Sequence, residues 1–297
     1  MRRPPPLSES LSESRLESRL ESRSALRPAL LESQLESRLE SQLESLLESR
    51  LESRLESRLE SQLESRPALL LVAHGTREAA GTEVVRRLAA SIRLRLPGVP
   101  VRLAFADVRP PTLAQVVPAL LGAPEIIVVP AFLAAGYHVR HDIPGQLVAA
   151  GVADRVQVSP ALGADPLLVD AAEARLRAAG WRPGDATVLA AAGSSDPGAR
   201  AEVAVAARAL GRRLGCPVRV GYLASGAPKL ADVVAELRGH GRRVAVASWL
   251  LAPGVFQRRL ASAGAAVVSE PLGVHRGVLD AVAARYWDVL ATRSAVA

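Results

Sequence analysis

The stretch EIIVVPAFLAAGYHVRHDIP, residues 125–144, joins an apolar run to a loop that carries two histidines. An unbroken apolar run of this length predicts a strand that is buried on both faces of a parallel sheet. His138 and His141 lie beyond the end of that strand. A second apolar run, residues 68–73, is followed at once by His74 in the segment VAHGTR. Imidazole side chains therefore follow two buried strands, which indicates a functional site where those strands end.

From residue 68 onward, short apolar runs alternate with segments of helical spacing, such as 77–96 and 112–121. This alternation predicts an α/β fold in which helices cover both faces of a parallel sheet. If the sheet is doubly wound with strand order 2-1-3-4, strands 1 and 3 are neighbours at the switch point, where ligands bind. His74 follows strand 1 and His138 follows strand 3, so both are expected at one crevice.

The second half of the chain repeats the plan of the first. Residues 218–222 correspond to 101–105, and residues 228–234 correspond to 111–117, always in the same order. We therefore predict two similar domains, 67–180 and 181–297, each with a parallel sheet of about four strands.

The repeat does not preserve the histidines. His74 corresponds to Ala192, and His138 corresponds to Val255. If imidazole were needed to build the fold, the second copy should need it too, so the difference favours chemistry over packing. His141, His240 and His275 are interpreted as surface or structural residues, and Cys216 as a small apolar one.

Residues 7–66 form a tandem repeat of Leu-Glu-Ser-Arg, with Gln sometimes in place of Arg. A period of four advances the leucines by about 40° per repeat around a helix, so they never form one apolar face. Glu also follows Glu at four residues, and such like-charge pairs weaken a helix. We predict that residues 1–66 are a low-complexity tail, helical or disordered, with a fluctuating state preferred.

The composition limits the classes of partner. Lys and Arg together number 37 against 30 acidic residues, which gives a net charge of +7. Arginine pairs well with carboxylate or phosphate, but aromatic residues are only 3% of the chain. The aromatic platforms that bind single-stranded nucleic acid are therefore not expected. The basic balance by itself fits either nucleic acid or a substrate that carries several carboxylates.

The sequence also gives expectations about the compartment in which the protein is found. A single cysteine, Cys216, excludes an intrachain disulfide and fits a reducing compartment. No apolar segment follows the charged start as in a signal peptide, and no apolar run is long enough to span a bilayer. We predict a cytoplasmic protein without a membrane partner, either a monomer or a weak homo-oligomer.

The segments VAHGTR and FLAAGYHVRHDIP resemble the sirohydrochlorin chelatases, which are class II metal chelatases of siroheme and cobalamin synthesis. The resemblance covers about residues 67–297, and the pattern G-x-H-x-x-x-D-I-P is its specific part. It implies insertion of Fe²⁺ or Co²⁺ into sirohydrochlorin or a related tetrapyrrole, with His74 and His138 as metal ligands and proton acceptors. The metal is then a substrate, and no prosthetic group is implied.

The implied substrate carries carboxylates around its rim, which arginines near the crevice should orient. Arg77 and Arg140 from the first half, and Arg258 with Arg259 from the second, are the expected substrate-binding residues. The pocket is expected between the two halves.

One position departs from the family pattern. Many members have an acidic residue before the proline that opens the second helix, whereas here Pro110 precedes Pro111 and the nearest acid is Asp107. Two alternatives therefore stay open. One is a non-catalytic carrier of tetrapyrrole or metal. The other is a hydrolase that uses His74, although Ala73 stands where a phosphohistidine phosphatase needs arginine.

Overall fold

The computed structural model describes residues 37–39, 41–55 and 66–294. The chain divides into two compact units, Met1–Gln62 and Leu63–Ala297. In the first unit, residues 37–39 and 41–55 are helical, and the leucines of these segments are between 54% and 59% exposed. These residues are therefore helical, which was one of the two predicted states of the tail. They form no buried apolar face. The rest of the tail prediction, for 1–36, 40 and 56–65, lies outside the described residues.

The first half of the second unit contains a parallel sheet of four strands in the order β2-β1-β3-β4. This arrangement confirms the predicted strand order. The strands are β1 (Ala68–Ala73), β2 (Val101–Phe105), β3 (Ile126–Pro130) and β4 (Val156–Val158). The helices are α1 (Ala79–Arg95), α2 (Leu113–Val116), α3 (Ile143–Ala149) and α4 (Pro166–Ala178), with a π-helical turn at His138–Asp142 and 3₁₀ turns at Val117–Leu120 and Ala153–Arg155.

The second half contains a matching parallel sheet in the order β6-β5-β7-β8. The α/β fold with two similar four-stranded sheets is therefore confirmed. Its strands are β5 (Ala186–Ala191), β6 (Val218–Tyr222), β7 (Val244–Trp249) and β8 (Val267–Val268). Its helices are α5 (Pro197–Leu214), α6 (Leu230–Gly239), α7 (Val255–Ala261) and α8 (Arg276–Ser294).

The helix predicted at 112–121 is shorter than expected in its α-helical part. Thr112 caps it through a hydrogen bond from the Gln115 amide, and the α-helix ends at Val116. Pro118 lies in the following turn, and proline has no amide hydrogen to donate in a helix interior. The segment continues as a 3₁₀ turn to Leu120 instead.

One apolar core lies between the two sheets and contains residues of both halves, and each sheet has a smaller core on its outer face. The last helix of each half crosses to the other half: α4 packs against β7 and α5, and α8 packs against β3 and α1. Arg175 of α4 donates to the Leu272 carbonyl and Arg285 of α8 donates to the Leu162 carbonyl, each at 3.2 Å. The domain division at residue 181 stays a prediction, and helices pack across it in both directions.

Tyr286 on α8 illustrates how closely the halves join. Its side chain is fully buried, and its hydroxyl donates to the Pro67 carbonyl at 2.8 Å. Burial raises the pKa of Tyr286 to about 12. No helix in the described part of the chain is both long and apolar enough to cross a membrane.

Candidate metal and substrate site

The carboxyl ends of β1 and β3 bring His74 and His138 together. The two strands are neighbours with Val72 opposite Pro130, so the loops that follow them leave the sheet side by side. The two imidazole rings are 4.4 Å apart between centroids and lie nearly perpendicular, at 79°. Two residues that are 64 positions apart in the sequence thus form one pair at the switch point of the sheet.

The hydrogen bonds of the two rings leave one nitrogen of each available. His74 Nδ1 lies 3.2 Å from the Gly75 carbonyl oxygen, and His138 Nδ1 lies 2.5 Å from Asp142 Oδ2. Because an oxygen acceptor holds the proton on Nδ1, the Nε2 atom of each ring keeps a free lone pair. This is the usual arrangement of a histidine that binds a metal, in which the second nitrogen is held by an oxygen acceptor that fixes the ring.

Asp107 completes a set of three donors. One ligand atom from each of His74, Asp107 and His138 lies within 4.8 Å of the other two. Asp107 follows β2, and its amide donates to the His74 carbonyl at 3.1 Å. Two imidazoles and a carboxylate suit a divalent ion of the first transition row.

Gly75 allows the loops after β1 and β2 to approach this closely. Its φ is +99°, and a Cβ at this position would lie 2.3 Å from the Asp107 carbonyl oxygen. A side chain would therefore both strain the backbone and push the Asp107 loop away.

The second copy lacks the whole donor set. Its Ala224 amide donates to the Ala192 carbonyl at 2.9 Å, as the Asp107 amide does to that of His74. The counterparts of His74 and Asp107 are thus Ala192 and Ala224, both apolar. Pro130 pairs with Val72 as Ser248 pairs with Ala190, so the strand register places Phe256, and not the predicted Val255, as far beyond its strand as His138. Phe256 is also no metal donor. The same comparison could have identified Asp107 from the sequence, because the repeat pairs it with alanine.

The environment of His74 favours the neutral imidazole that binds metal. Desolvation by the surrounding walls lowers the pKa of His74, and the nearby His138 lowers it further. The Gly75 hydrogen bond and the charges of Asp107 and Asp142 oppose this shift only in part. His74 is therefore expected to stay neutral at pH values where an ordinary imidazole is protonated.

Two adjoining cavities, of about 380 Å³ and about 620 Å³, open beside the histidines. Both lie between the halves, and their shared walls include His74, Phe132, Leu133, Ala192, Trp249 and Phe256. The smaller cavity contains both His74 and His138 in its lining. The walls are mainly apolar, so a flat apolar ligand could lie between the halves with its polar groups at a few defined points.

The predicted substrate-binding arginines lie in different surroundings. Arg77 lines the larger cavity together with Arg259. Arg140 instead pairs with Asp196 at 3.1 Å, and Arg258 pairs with Glu78. These last two pairs link the halves, and neither Arg140 nor Arg258 is in the lining of the two cavities.

The remaining histidines have local structural surroundings. His141 is exposed and stacks against Tyr137 at 4.8 Å between ring centroids. His240 is the residue that ends α6. His275 Nδ1 accepts a hydrogen bond from the Gly277 amide at 3.1 Å, which caps the start of α8. None of the three belongs to the donor set.

Replacement of Asp142 by asparagine is expected to lower the affinity for Co²⁺ about 10- to 100-fold. The amide oxygen can still accept the hydrogen bond from His138, but it lacks the negative charge that strengthens this bond and fixes the ring. Calorimetric titration with Co²⁺ measures the change, and Asp232→Asn on the exposed face of α6 is the matched control. An affinity equal to that of the control would contradict this role.

Comparison with known proteins agrees with the geometry. The chain matches the CbiX family model over residues 68–179 and again over 186–289. A sirohydrochlorin cobaltochelatase of Sulfolobus acidocaldarius is 32% identical over 104 residues, which are 34% of this chain and 83% of that protein. One of Methanothermobacter thermautotrophicus is 38% identical over 78 residues, which are 26% of this chain and 54% of that protein.

The fold also matches that of a solved structure. SirB from Bacillus subtilis, determined with Fe³⁺, superposes with a TM-score of 0.69 at 24% sequence identity, over 77% of this chain and 98% of SirB. At this identity the similarity establishes the fold. Because the family match covers both repeats in turn, the chain belongs to the CbiX family.

Proposed function

We propose that the protein inserts Co²⁺ or Fe²⁺ into sirohydrochlorin or a closely related tetrapyrrole. The observation that carries this proposal is the set of His74, Asp107 and His138 at the edge of a cavity between two α/β halves. The two curated relatives described above are named sirohydrochlorin cobaltochelatases, which supports the same substrate for this chain.

The donor set suits both requirements of the reaction. Insertion requires that water be removed from the ion and that two pyrrole N–H protons leave the macrocycle. The Nε2 atoms of His74 and His138, with the Asp107 carboxylate, can replace water on the ion. When the ion moves to the pyrrole nitrogens, the two imidazoles become free to accept the two protons. Metal holding and proton removal then use the same side chains in sequence.

The two alternatives are less well supported. A non-catalytic carrier was suggested by the absent acid before Pro111, but Asp107 supplies a carboxylate beside both histidines. A hydrolase that forms phosphohistidine would hold a phosphate against His74, whereas ligand atoms of a carboxylate, Asp107, and a second imidazole, His138, lie within 4.8 Å of that of His74. A carboxylate repels a phosphate, so neither alternative is favoured.

The partners and location follow from the same proposal. The tetrapyrrole and the divalent ion are the proposed partners, the metal is a substrate, and no prosthetic group is proposed. A cytoplasmic protein, monomeric or weakly self-associating, remains our expectation.

The proposal is tested by following Co²⁺ and Fe²⁺ insertion into sirohydrochlorin by absorbance under anaerobic conditions. We expect the protein to accelerate insertion of at least one of the two ions above the spontaneous rate. Tight binding of the product without any acceleration would favour the carrier and contradict the proposal.

The pKa of His74 gives a separate prediction. Protons and Co²⁺ compete for the same nitrogen, so the affinity for Co²⁺ should fall as the pH drops through the pKa of His74, which lies below the ordinary 6.5. Replacing His138 by glutamine removes one of the causes of the shift and should raise the pKa of His74. An NMR titration of the His74 ring measures both values, and a pKa above 6.5 in the unmodified protein would contradict the prediction.

A further inference from the structure

The second half contributes a basic side chain to the cavity that contains both histidines. We propose that Arg200, with the serine hydroxyls of the loop Gly193–Asp196, binds a carboxylate on the rim of the macrocycle. The inference rests on the proposed function and extends it to the substrate-binding role of the copy that has no metal donors.

Arg200 carries a fixed charge in largely apolar surroundings. It lines the smaller cavity with His74 and His138, while aromatic side chains such as Phe132 and Trp249 form other parts of the wall. Among the described residues of this lining, Arg200 is the one that is charged at all ordinary pH values. A charge-assisted hydrogen bond is stronger where water is partly excluded, so this position favours an anionic group.

The orientation of the guanidinium leaves one edge free. Its Nη1 donates to the carbonyl oxygens of Ser194 and Ser195, each at 2.8 Å, which uses both hydrogens of that nitrogen. No hydrogen bond joins Nε or Nη2 to the part of the chain that the structure describes. Nε and Nη2 form the edge that matches the two oxygens of a carboxylate. The backbone carbonyls thus hold the arginine in place and leave this fork available.

The serine hydroxyls beside Arg200 are placed so that they can donate to the same carboxylate. Ser194, Ser195 and Ser225 all line the same cavity. Ser194 Oγ accepts from the Asp196 amide at 3.1 Å, so its own proton can still be donated. The first amides of α5 are already capped by Asp196, which accepts from Gly198 at 2.7 Å. The proposed carboxylate contacts are therefore side-chain contacts and do not depend on the helix end.

The first copy shows which part of the Arg200 arrangement is structural. There Arg109 donates to the Thr76 carbonyl at 3.3 Å, and Thr76 corresponds to Ser194. Arg109 therefore supports its loop in a similar way, but it lies outside the linings of both cavities. Supporting the loop does not require an arginine that opens into the cavity. Arg109 is accordingly a matched control for the structural part of the Arg200 role.

The experiment compares the binding of sirohydrochlorin with that of its methyl ester, which has the same macrocycle without the negative charges. Dissociation constants are measured by fluorescence quenching for the unmodified protein, Arg200→Met and Arg109→Met. We expect Arg200→Met to weaken binding of the acid about 10-fold or more and to leave binding of the ester nearly unchanged. Arg109→Met should preserve the preference for the acid, and Co²⁺ affinity should be unchanged in Arg200→Met.

The outcomes separate this inference from the proposed function. An equal loss for acid and ester in Arg200→Met would assign Arg200 to loop support alone and overturn the inference, as would no loss at all. In either case, accelerated metal insertion by the unmodified protein would leave the proposed function standing. An acid-specific loss without any accelerated insertion would support the subsite and contradict the chelatase. If the unmodified protein did not bind sirohydrochlorin, both proposals would fail.

Discussion

Replacement of His138 by alanine is expected to slow Co²⁺ insertion into sirohydrochlorin about 100-fold or more. The change removes one donor of the three-residue set and one of the two proton acceptors. His74→Ala should have a similar effect, because its ring lies 4.4 Å from that of His138 and serves the same ion. Since the pair acts as a unit, the double variant should be little slower than the slower single variant.

The matched control for this prediction is His141→Ala. His141 belongs to the same π-helical turn as His138, but it is exposed and stacks on Tyr137. Its removal should change the rate by less than about twofold, as is usual for a surface substitution. Rates for His74→Ala and His138→Ala that both equal the rate of this control would exclude the proposed metal site.

Alanine at Gly75 is expected to lower the free energy of unfolding by at least about 2 kcal/mol, and it should also weaken Co²⁺ binding. The residue adopts a φ of +99°, which costs a non-glycine residue about 1–3 kcal/mol. The new Cβ would also overlap the Asp107 carbonyl oxygen at 2.3 Å. The Asp107 loop must then move, and the third donor moves with it.

Gly193 provides the internal control for that experiment. It has a φ of +97°, and a Cβ there would lie 1.9 Å from the Ser225 carbonyl oxygen. Gly193→Ala should therefore destabilise the protein by a comparable amount, as measured by denaturant unfolding. It should not change the affinity for Co²⁺, because no metal donor lies in the second copy of the loop. An equal loss of Co²⁺ affinity in the two variants would contradict the assignment of the metal site to the first copy.

The arrangement of each sheet was predictable because it depends on local patterns. Apolar runs such as residues 126–130 identify buried strands, and the order β2-β1-β3-β4 follows from the doubly wound α/β class. The internal repeat then separated the histidines from residues that serve packing. These signals are contained in short segments and in a constant sequence offset.

The contacts that were not predicted depend on the approach of segments that are distant in sequence. Asp107 reaches the histidines because Gly75 permits two loops to touch. Arg140 and Arg258 pair with Asp196 and Glu78 at the starts of α5 and α1, a choice of partner that the spacing of charges does not reveal.

The packing of α4 and α8 against the opposite half also depends on segments that are distant in sequence. An amphipathic pattern predicts that a helix buries one face, but it does not say against which sheet. The structure resolves this through the shared core between the sheets and through reciprocal bonds from Arg175 and Arg285.

The claim that only the first copy binds the metal is tested most directly by the number and the ligands of the bound Co²⁺ ions. We expect one tightly bound Co²⁺ per chain, and its X-ray absorption spectrum should show two imidazole nitrogens and carboxylate oxygen. The ion should be lost in the variant that carries both His74→Ala and His138→Ala. Two tight sites per chain, or a single site whose spectrum lacks imidazole, would contradict the account.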